Sequence, residues 1–144
     1  NHISLGNYFR EKKEGWWSYY DNEKYLKKTE YYENGVMTQY ALIKNKNTEC
    51  AIYRINEKNV YYVPIDISLN IELITKTLLF NGYFKVYNAY NYELLEKVHF
   101  QNNIKNGPFI IYQKCQFSDE ISYCPRITGN METSQFHGEI SFYT

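Results

Sequence analysis

Glu14-Gly15-Trp16-Trp17-Ser18-Tyr19-Tyr20-Asp21 carries a pattern that recurs three more times along this chain of 144 residues. The other copies are Gly82-Tyr83-Phe84-Lys85-Val86-Tyr87, Gly107-Pro108-Phe109-Ile110-Ile111-Tyr112 and Gly138-Glu139-Ile140-Ser141-Phe142-Tyr143. In each, large apolar or aromatic residues stand two, four and five places after the glycine, and the last is tyrosine. A supersecondary unit repeated in this way stacks on its neighbours to bury a continuous core, so the repeat fixes the expected architecture.

Successive side chains of a strand point to opposite faces. Trp17 with Tyr19, Phe84 with Val86, Phe109 with Ile111 and Ile140 with Phe142 therefore share the expected core face. The opposite face carries Trp16, Ser18 and Tyr20, then Tyr83, Lys85 and Tyr87, then Pro108, Ile110 and Tyr112, then Glu139, Ser141 and Tyr143. Its mixture of polar groups and tyrosine suits the partly wet side of an antiparallel sheet. Each glycine is expected either to take a positive φ or to leave room for an aromatic ring against its backbone.

The segments between the copies read as turns and returning strands. Asp21-Asn22-Glu23-Lys24 leads into Tyr25 to Tyr32, and Asn88-Ala89-Tyr90-Asn91 into Tyr92 to Phe100, which makes hairpins. Asn34-Gly35 is a strong type I′ turn signal, and Asn102-Asn103 takes the matching place after Phe100. Tyr8, Phe100 and Met131 stand seven residues before their glycines, with Thr75 the exception, and a degenerate copy runs through Tyr32, Gln39, Ala41 and Ile43. The pattern disappears between Lys44 and Leu79. There Cys50 to Ile55 and Val60 to Val63 read as a hairpin, and Ile65 to Leu73 alternates as a strand, with a short helix over Asn70 to Leu79 as the competing assignment. Lys114 to Asn130 reads as a second irregular insertion. The expected fold is an all-β antiparallel hairpin meander with at most a short helix, in one domain spanning 1–144, with repeats over about 8–43 and 80–143 and an insert over 44–79.

Sixteen Lys and Arg balance sixteen Asp and Glu, ten against ten in residues 1–72 and six against six afterwards. A field that draws in a phosphate backbone is absent, so no nucleic-acid partner is expected. The basic run Arg10, Lys12, Lys13 is interleaved with Glu11 and Glu14 and reads as a solvated hairpin turn. Seventeen tyrosines come with abundant Asn, Lys and Ile, residues that share AT-rich codons, and Tyr and Ile also suit strands. No apolar run reaches the roughly 20 residues that a spanning helix needs. The expected compartment is the cytoplasm, with export left open because the chain begins at Asn1 rather than at Met.

Glu14 to Asp21, followed by Tyr31-Tyr32-Glu33-Asn34-Gly35, resembles the variant MORN repeat of bacterial proteins. That repeat reads approximately as Asn-Gly, three or four polar residues, Gly, then Trp and paired tyrosines. The resemblance is good over 8–43, fair over 80–112, weak in the last copy and absent from 44–79. It implies a β-hairpin array, and relatives of this kind are often described as the antitoxin component of toxin–antitoxin systems. MORN repeats elsewhere are attached to enzymes as interaction or membrane-associating segments. The chain departs from the pattern in having Gln39 at a glycine position and in its long insert.

Candidates for chemistry are sparse. His2, His99 and His137 form no pair at metal-ligand spacing, so no metal or cofactor is expected. Cys50, Cys115 and Cys124 are an odd number in no metal pattern; Cys115 and Cys124 either form a disulfide in an exported chain or are idle thiols. Cys115 or Cys124 with His99 or His137 and Asp119 has the residue types of a nucleophilic triad, without a spacing that assembles one. Asp119-Glu120 would point to opposite faces of a strand and reads as a solvated loop. The reading that remains is a noncatalytic protein-interaction module, of antitoxin or immunity type, that binds a protein partner through Trp16, Tyr20, Tyr87 and Tyr112. The alternative is an enzyme or small-ligand-binding protein with its site in the inserts 44–79 and 114–130.

Overall fold

The computed structural model describes residues 3–65, 80–117 and 119–144. The chain forms two compact units, Asn1–Leu78 and Leu79–Thr144. The first contains β1 (Ile3–Phe9), β2 (Lys12–Tyr20), β3 (Leu26–Glu33), β4 (Val36–Lys44), β5 (Glu49–Arg54) and β6 (Asn59–Pro64). The second contains β7 (Gly82–Asn88), β8 (Leu94–Gln101), β9 (Ile104–Phe117), β10 (Glu120–Glu132) and β11 (Gln135–Phe142). Within each unit every strand pairs antiparallel with the next in sequence. Each unit is therefore a hairpin meander, as expected, and the described residues contain no helix, hence none long and apolar enough to cross a membrane.

The repeat is a coupled turn and bulge. A type I′ turn needs positive φ at both central residues, and four residue pairs satisfy this. They are Arg10 and Glu11 (51° and 66°), Asn34 and Gly35 (52° and 79°), Asn102 and Asn103 (51° and 68°), and Thr133 and Ser134 (53° and 62°). Four positions after each turn the chain reaches Gly15, Gln39, Gly107 or Gly138. Beside these positions the pairing register slips, between Leu5 and Asn7, Tyr31 and Tyr32, Val98 and Phe100, and Thr128 and Asn130. The glycines have φ of 70° at Gly15, 100° at Gly82, 107° at Gly107 and 74° at Gly138, which at Gly15, Gly107 and Gly138 accompanies the register slip of a bulge, whereas Gln39 meets its slip without a positive φ. Of the two expected reasons for these glycines, the positive φ is the operative one. A close ring approach is added at Gly107, where a Cβ would lie 3.3 Å from His99 Nδ1, and is found at two other glycines: a Cβ on Gly6 would lie 2.2 Å from the Trp17 ring, and one on Gly129 3.1 Å from Phe109.

Two further turns use a side-chain carbonyl or carboxylate in place of a backbone one. Asp21 Oδ1 accepts hydrogen bonds from the amides of Glu23 (2.9 Å) and Tyr25 (3.0 Å), and Asn88 Oδ1 from that of Tyr90 (2.8 Å). The expected hairpin in the first insert is present as β5 and β6. The strand or helix expected after Ile65 falls on residues outside those described.

The core of the second unit follows the alternation. Phe84, Val98, Phe109 and Gly129 stand directly opposite one another across β7 to β10. Phe84, Val98 and Phe109 are at most 2% exposed, and Phe80 stacks on Phe84 at 4.8 Å and meets Phe100 edge-on at 5.5 Å. Each such side chain contributes roughly 1.5–3 kcal/mol on burial. The last copy departs from expectation. Ile140 is half-buried and Phe142 is 73% exposed, because β11 pairs only with β10 and so has a neighbour on one side alone.

The first unit splits its two faces less cleanly. Trp17 is buried as expected, but its row continues across the sheet into Glu30, Tyr40 and Tyr53. The row through Ser18, expected to be wet, continues into Thr29, Ala41 and Ile52, all at most 3% exposed. Strand alternation correctly separates the two sets but assigns burial from β2 alone.

The stretch 114–130, expected to be irregular, is paired strand in its described residues, with one register shift between Pro125 and Ile127. β9 and β10 pair from Glu120 opposite Phe117 to Met131 opposite Gly107. Because β8 pairs with β9 only as far as Ile111, and β11 with β10 only as far as Ile127, Gln113 to Cys124 forms a two-stranded ribbon. Two-stranded ribbons are marginal on their own. This one is braced by a disulfide between Cys115 and Cys124, whose Cα atoms are 5.8 Å apart, and by an ion pair of Lys114 with Glu93.

Candidate functional site

The second unit carries an open cavity of about 440 Å³ lined by Tyr83, Lys97, Pro108, Phe109 and Ile110. It opens on the face opposite the Phe84 core. Tyr83 is 55% exposed, and its ring meets His99 at 4.8 Å, 71° off parallel. His99 Nδ1 is 2.7 Å from the carbonyl oxygen of Asn106, which holds the imidazole and thereby the tyrosine beside it. Tyr87 and Tyr112 belong to the same face by alternation and are half-buried. One row across this face reads Lys85, Lys97, Ile110 and Thr128, directly opposite one another in pairs. It sets positive charge at one end against an apolar wall.

The other two expected residues lie in the first unit. Trp16 packs edge-on against Tyr31 at 5.0 Å, and its buried indole nitrogen has no hydrogen-bond partner. Tyr20 joins Ile3, Leu5 and Lys24 around a shallow cavity of about 190 Å³. The four residues thus fall two to each unit, all half-buried. Tyr83, Pro108, Ile110 and Lys97 line the larger cavity without having been singled out. The first three stand on the opposite-face list that alternation gives, so the signal for them was present; choosing the tyrosine five places after each glycine passed over them.

The most charged cluster is internally satisfied. Glu30 accepts a hydrogen bond from the Tyr32 hydroxyl (3.0 Å) and pairs with Lys28 at 3.3 Å, while Lys13 Nζ donates to the Tyr19 hydroxyl (3.3 Å). Lys13 also sits 4.6 Å from the Trp17 ring centroid and Lys28 4.7 Å from that of Tyr19. Burial alone would push the Glu30 carboxyl up, but the hydrogen bonds from Tyr19 and Tyr32 and the Lys28 charge hold it below the usual carboxylate range. Burial, followed by the bond to Glu30, pushes the Tyr19 hydroxyl well above its ordinary value. This arrangement pairs the charges of a wet sheet face with one another.

The nucleophile considered in the sequence is consumed: Cys115 and Cys124 are bonded to each other, so neither offers a thiolate. Burial pushes the free Cys50 thiol up to about 12, which leaves it neutral and unreactive. His137 pairs with Glu132 at an exposed turn. Among the described residues no group of three or more His, Cys, Asp or Glu side chains is placed to hold a metal ion. Compared with protein-family models, with curated proteins and with solved structures, the chain has no match in any of the three.

Proposed function

We propose that this chain is a noncatalytic protein-interaction module of antitoxin or immunity type, acting by covering a protein partner. The observation that carries the reading is the face of the second unit where Tyr83, Pro108 and Ile110 surround an open apolar cavity beside Tyr87 and Tyr112. Rigid aromatic and aliphatic side chains around a cavity are where interface energy concentrates. The core of that unit lies on the other side of the sheet, so the face can be covered without disturbing the packing that holds it. Trp16 and Tyr20 lie on the face of the first unit whose Ser18 row runs into buried residues, so the reading rests on the second unit. The resemblance of residues 8–43 to variant MORN repeats supports the antitoxin assignment, and the internally satisfied Glu30 cluster and bonded cysteines fit a surface that binds rather than reacts.

The test is comparative affinity capture with mass spectrometry, using the whole chain and a Tyr87→Ala, Tyr112→Ala variant whose denaturation midpoint has been checked. A protein that the whole chain retains and the folded variant loses supports the reading. Identical captured sets for the two, or none for either, overturn it.

A further inference from the structure

Lys85 and Lys97 stand directly opposite each other on β7 and β8. Directly opposed residues of an antiparallel pair have Cβ atoms roughly 4.5–5.5 Å apart, and like charges there work against pairing. Both side chains are exposed, and neither has a carboxylate partner among the described residues. Lys105 and Lys114 of the same unit show the contrast, since they pair with Glu96 and Glu93. The uncompensated pair adjoins the apolar cavity: Lys97 lines it, and Ile110, directly opposite Lys97 on β9, forms its wall. His99, its Nδ1 committed to the Asn106 carbonyl, stands opposite Tyr83 one step along the same face.

We propose that this groove takes an extended segment of a protein partner in which an acidic residue lies two positions from an aromatic or large aliphatic one. This inference rests on the protein-binding reading above and specifies its partner. In an extended segment, side chains two residues apart are on the same side, roughly 6–7 Å from each other. That spacing sets a carboxylate over Lys85 and Lys97 while the apolar side chain enters the cavity between Tyr83, Pro108 and Ile110. The carboxylate removes the repulsion between the two lysines, and the cavity supplies the apolar burial. Charge complementarity selects an acidic partner over a neutral one, and the pairing of charge with an apolar anchor selects a peptide over a bare anion.

The probes are acetyl-Phe-Ser-Glu-amide, its acetyl-Phe-Ser-Gln-amide counterpart and phenylacetate, titrated into the ¹⁵N-labelled chain and followed by amide shifts. The glutamate peptide is expected to shift amides of 83–85, 97–99 and 108–110, at least about tenfold more tightly than the glutamine peptide, which is about 1.4 kcal/mol. The variant Lys85→Gln, Lys97→Gln should lose that preference while its denaturation midpoint stays level or rises, because a repulsive pair has gone. Equal binding of the two peptides, an unchanged preference in the lysine variant, or phenylacetate binding as tightly as the peptide would each overturn the inference. Failure here is separable from failure of the broader reading. A partner lost by the Tyr87→Ala, Tyr112→Ala variant but indifferent to the lysine variant leaves the interaction module standing and removes the acidic segment.

Discussion

Adding a methyl group to Gly6 or to Gly15 separates two reasons for which this chain uses glycine. The Cβ of Gly6→Ala would stand 2.2, 2.3 and 2.5 Å from three atoms of the Trp17 indole. Carbon atoms in contact settle about 3.5–4.0 Å apart, so the ring must retreat by more than about 1 Å. It is not free to do so. Trp17 Nε1 donates to the carbonyl of Asn7 (3.2 Å), Tyr8 meets the ring edge-on at 5.0 Å, and Lys13 covers it at 4.6 Å. Overpacking a tight site costs about 1–3 kcal/mol, and losing the indole hydrogen bond adds about 0.5–1.5, so the expected total is about 2–4 kcal/mol. At Gly15 a Cβ meets nothing within 4 Å, and the whole penalty is the positive φ of 70°. That is about 1–2 kcal/mol for alanine and less for asparagine, which tolerates the left-handed region. Both tryptophans of the chain, Trp16 and Trp17, are on β2, so their fluorescence in a urea titration reports this sheet. With a urea dependence of about 2 kcal/mol per molar, Gly6→Ala should lower the midpoint by about 1–2 M. Gly15→Asn should recover much of what Gly15→Ala loses, whereas Gly6→Asn should recover nothing. A Gly6→Ala midpoint at the wild-type value, or asparagine rescue at position 6 instead of 15, would refute the assignment.

Trp17→Ala should lower stability by about 3–5 kcal/mol in the same titration, and an unchanged midpoint would contradict its burial. Cys115→Ser should speed amide exchange of residues 113–124 selectively, with a loss of about 2–3 kcal/mol for a short closed loop, leaving the amides of Phe84, Val98 and Phe109 protected; uniform exchange across the unit would show that the disulfide braces more than the ribbon. Lowering the pH should destabilise the first unit through Glu30: its folded carboxyl titrates below its unfolded one, so its contribution is present above the ordinary value of 4.5 and vanishes as pH falls through the folded value. Raising the pH acts through Tyr61, whose hydroxyl burial, with help from Glu57, pushes up to about 12: that contribution is intact below the ordinary 10.0 and is lost as pH rises through about 12. Glu30→Gln should flatten the acid limb of the midpoint profile and Tyr61→Phe the alkaline one; profiles parallel to wild type would exclude these groups. Cys50 should resist a thiol reagent at pH 8 until the chain unfolds, and rapid native-state labelling would contradict its burial.

Local chemistry made much of this fold legible in the sequence. Asn34-Gly35 announces a type I′ turn because both positions accept positive φ, and recurring glycines announce positions where a positive φ costs glycine alone no strain. The period of two in Phe84-Lys85-Val86 separates a dry face from a wet one because strand geometry does so whatever the surroundings. Arg10-Glu11 and Thr133-Ser134 form the same turn with no such signal; there the pairing of the flanking strands imposes a conformation that the residues themselves disfavour. Which face is dry depends on strands far away in sequence, so Ser18 could not disclose that Thr29, Ala41 and Ile52 extend its row into a buried one. Nor could the spacing of Cys115 and Cys124 settle their pairing, because the bond requires β9 and β10 to continue as a ribbon through a stretch that carries no repeat. The aromatic residues of the candidate face could be named from alternation alone. Lys85 facing Lys97 across two strands, with Ile110 beside them, is a relation between chain segments, and only register creates it.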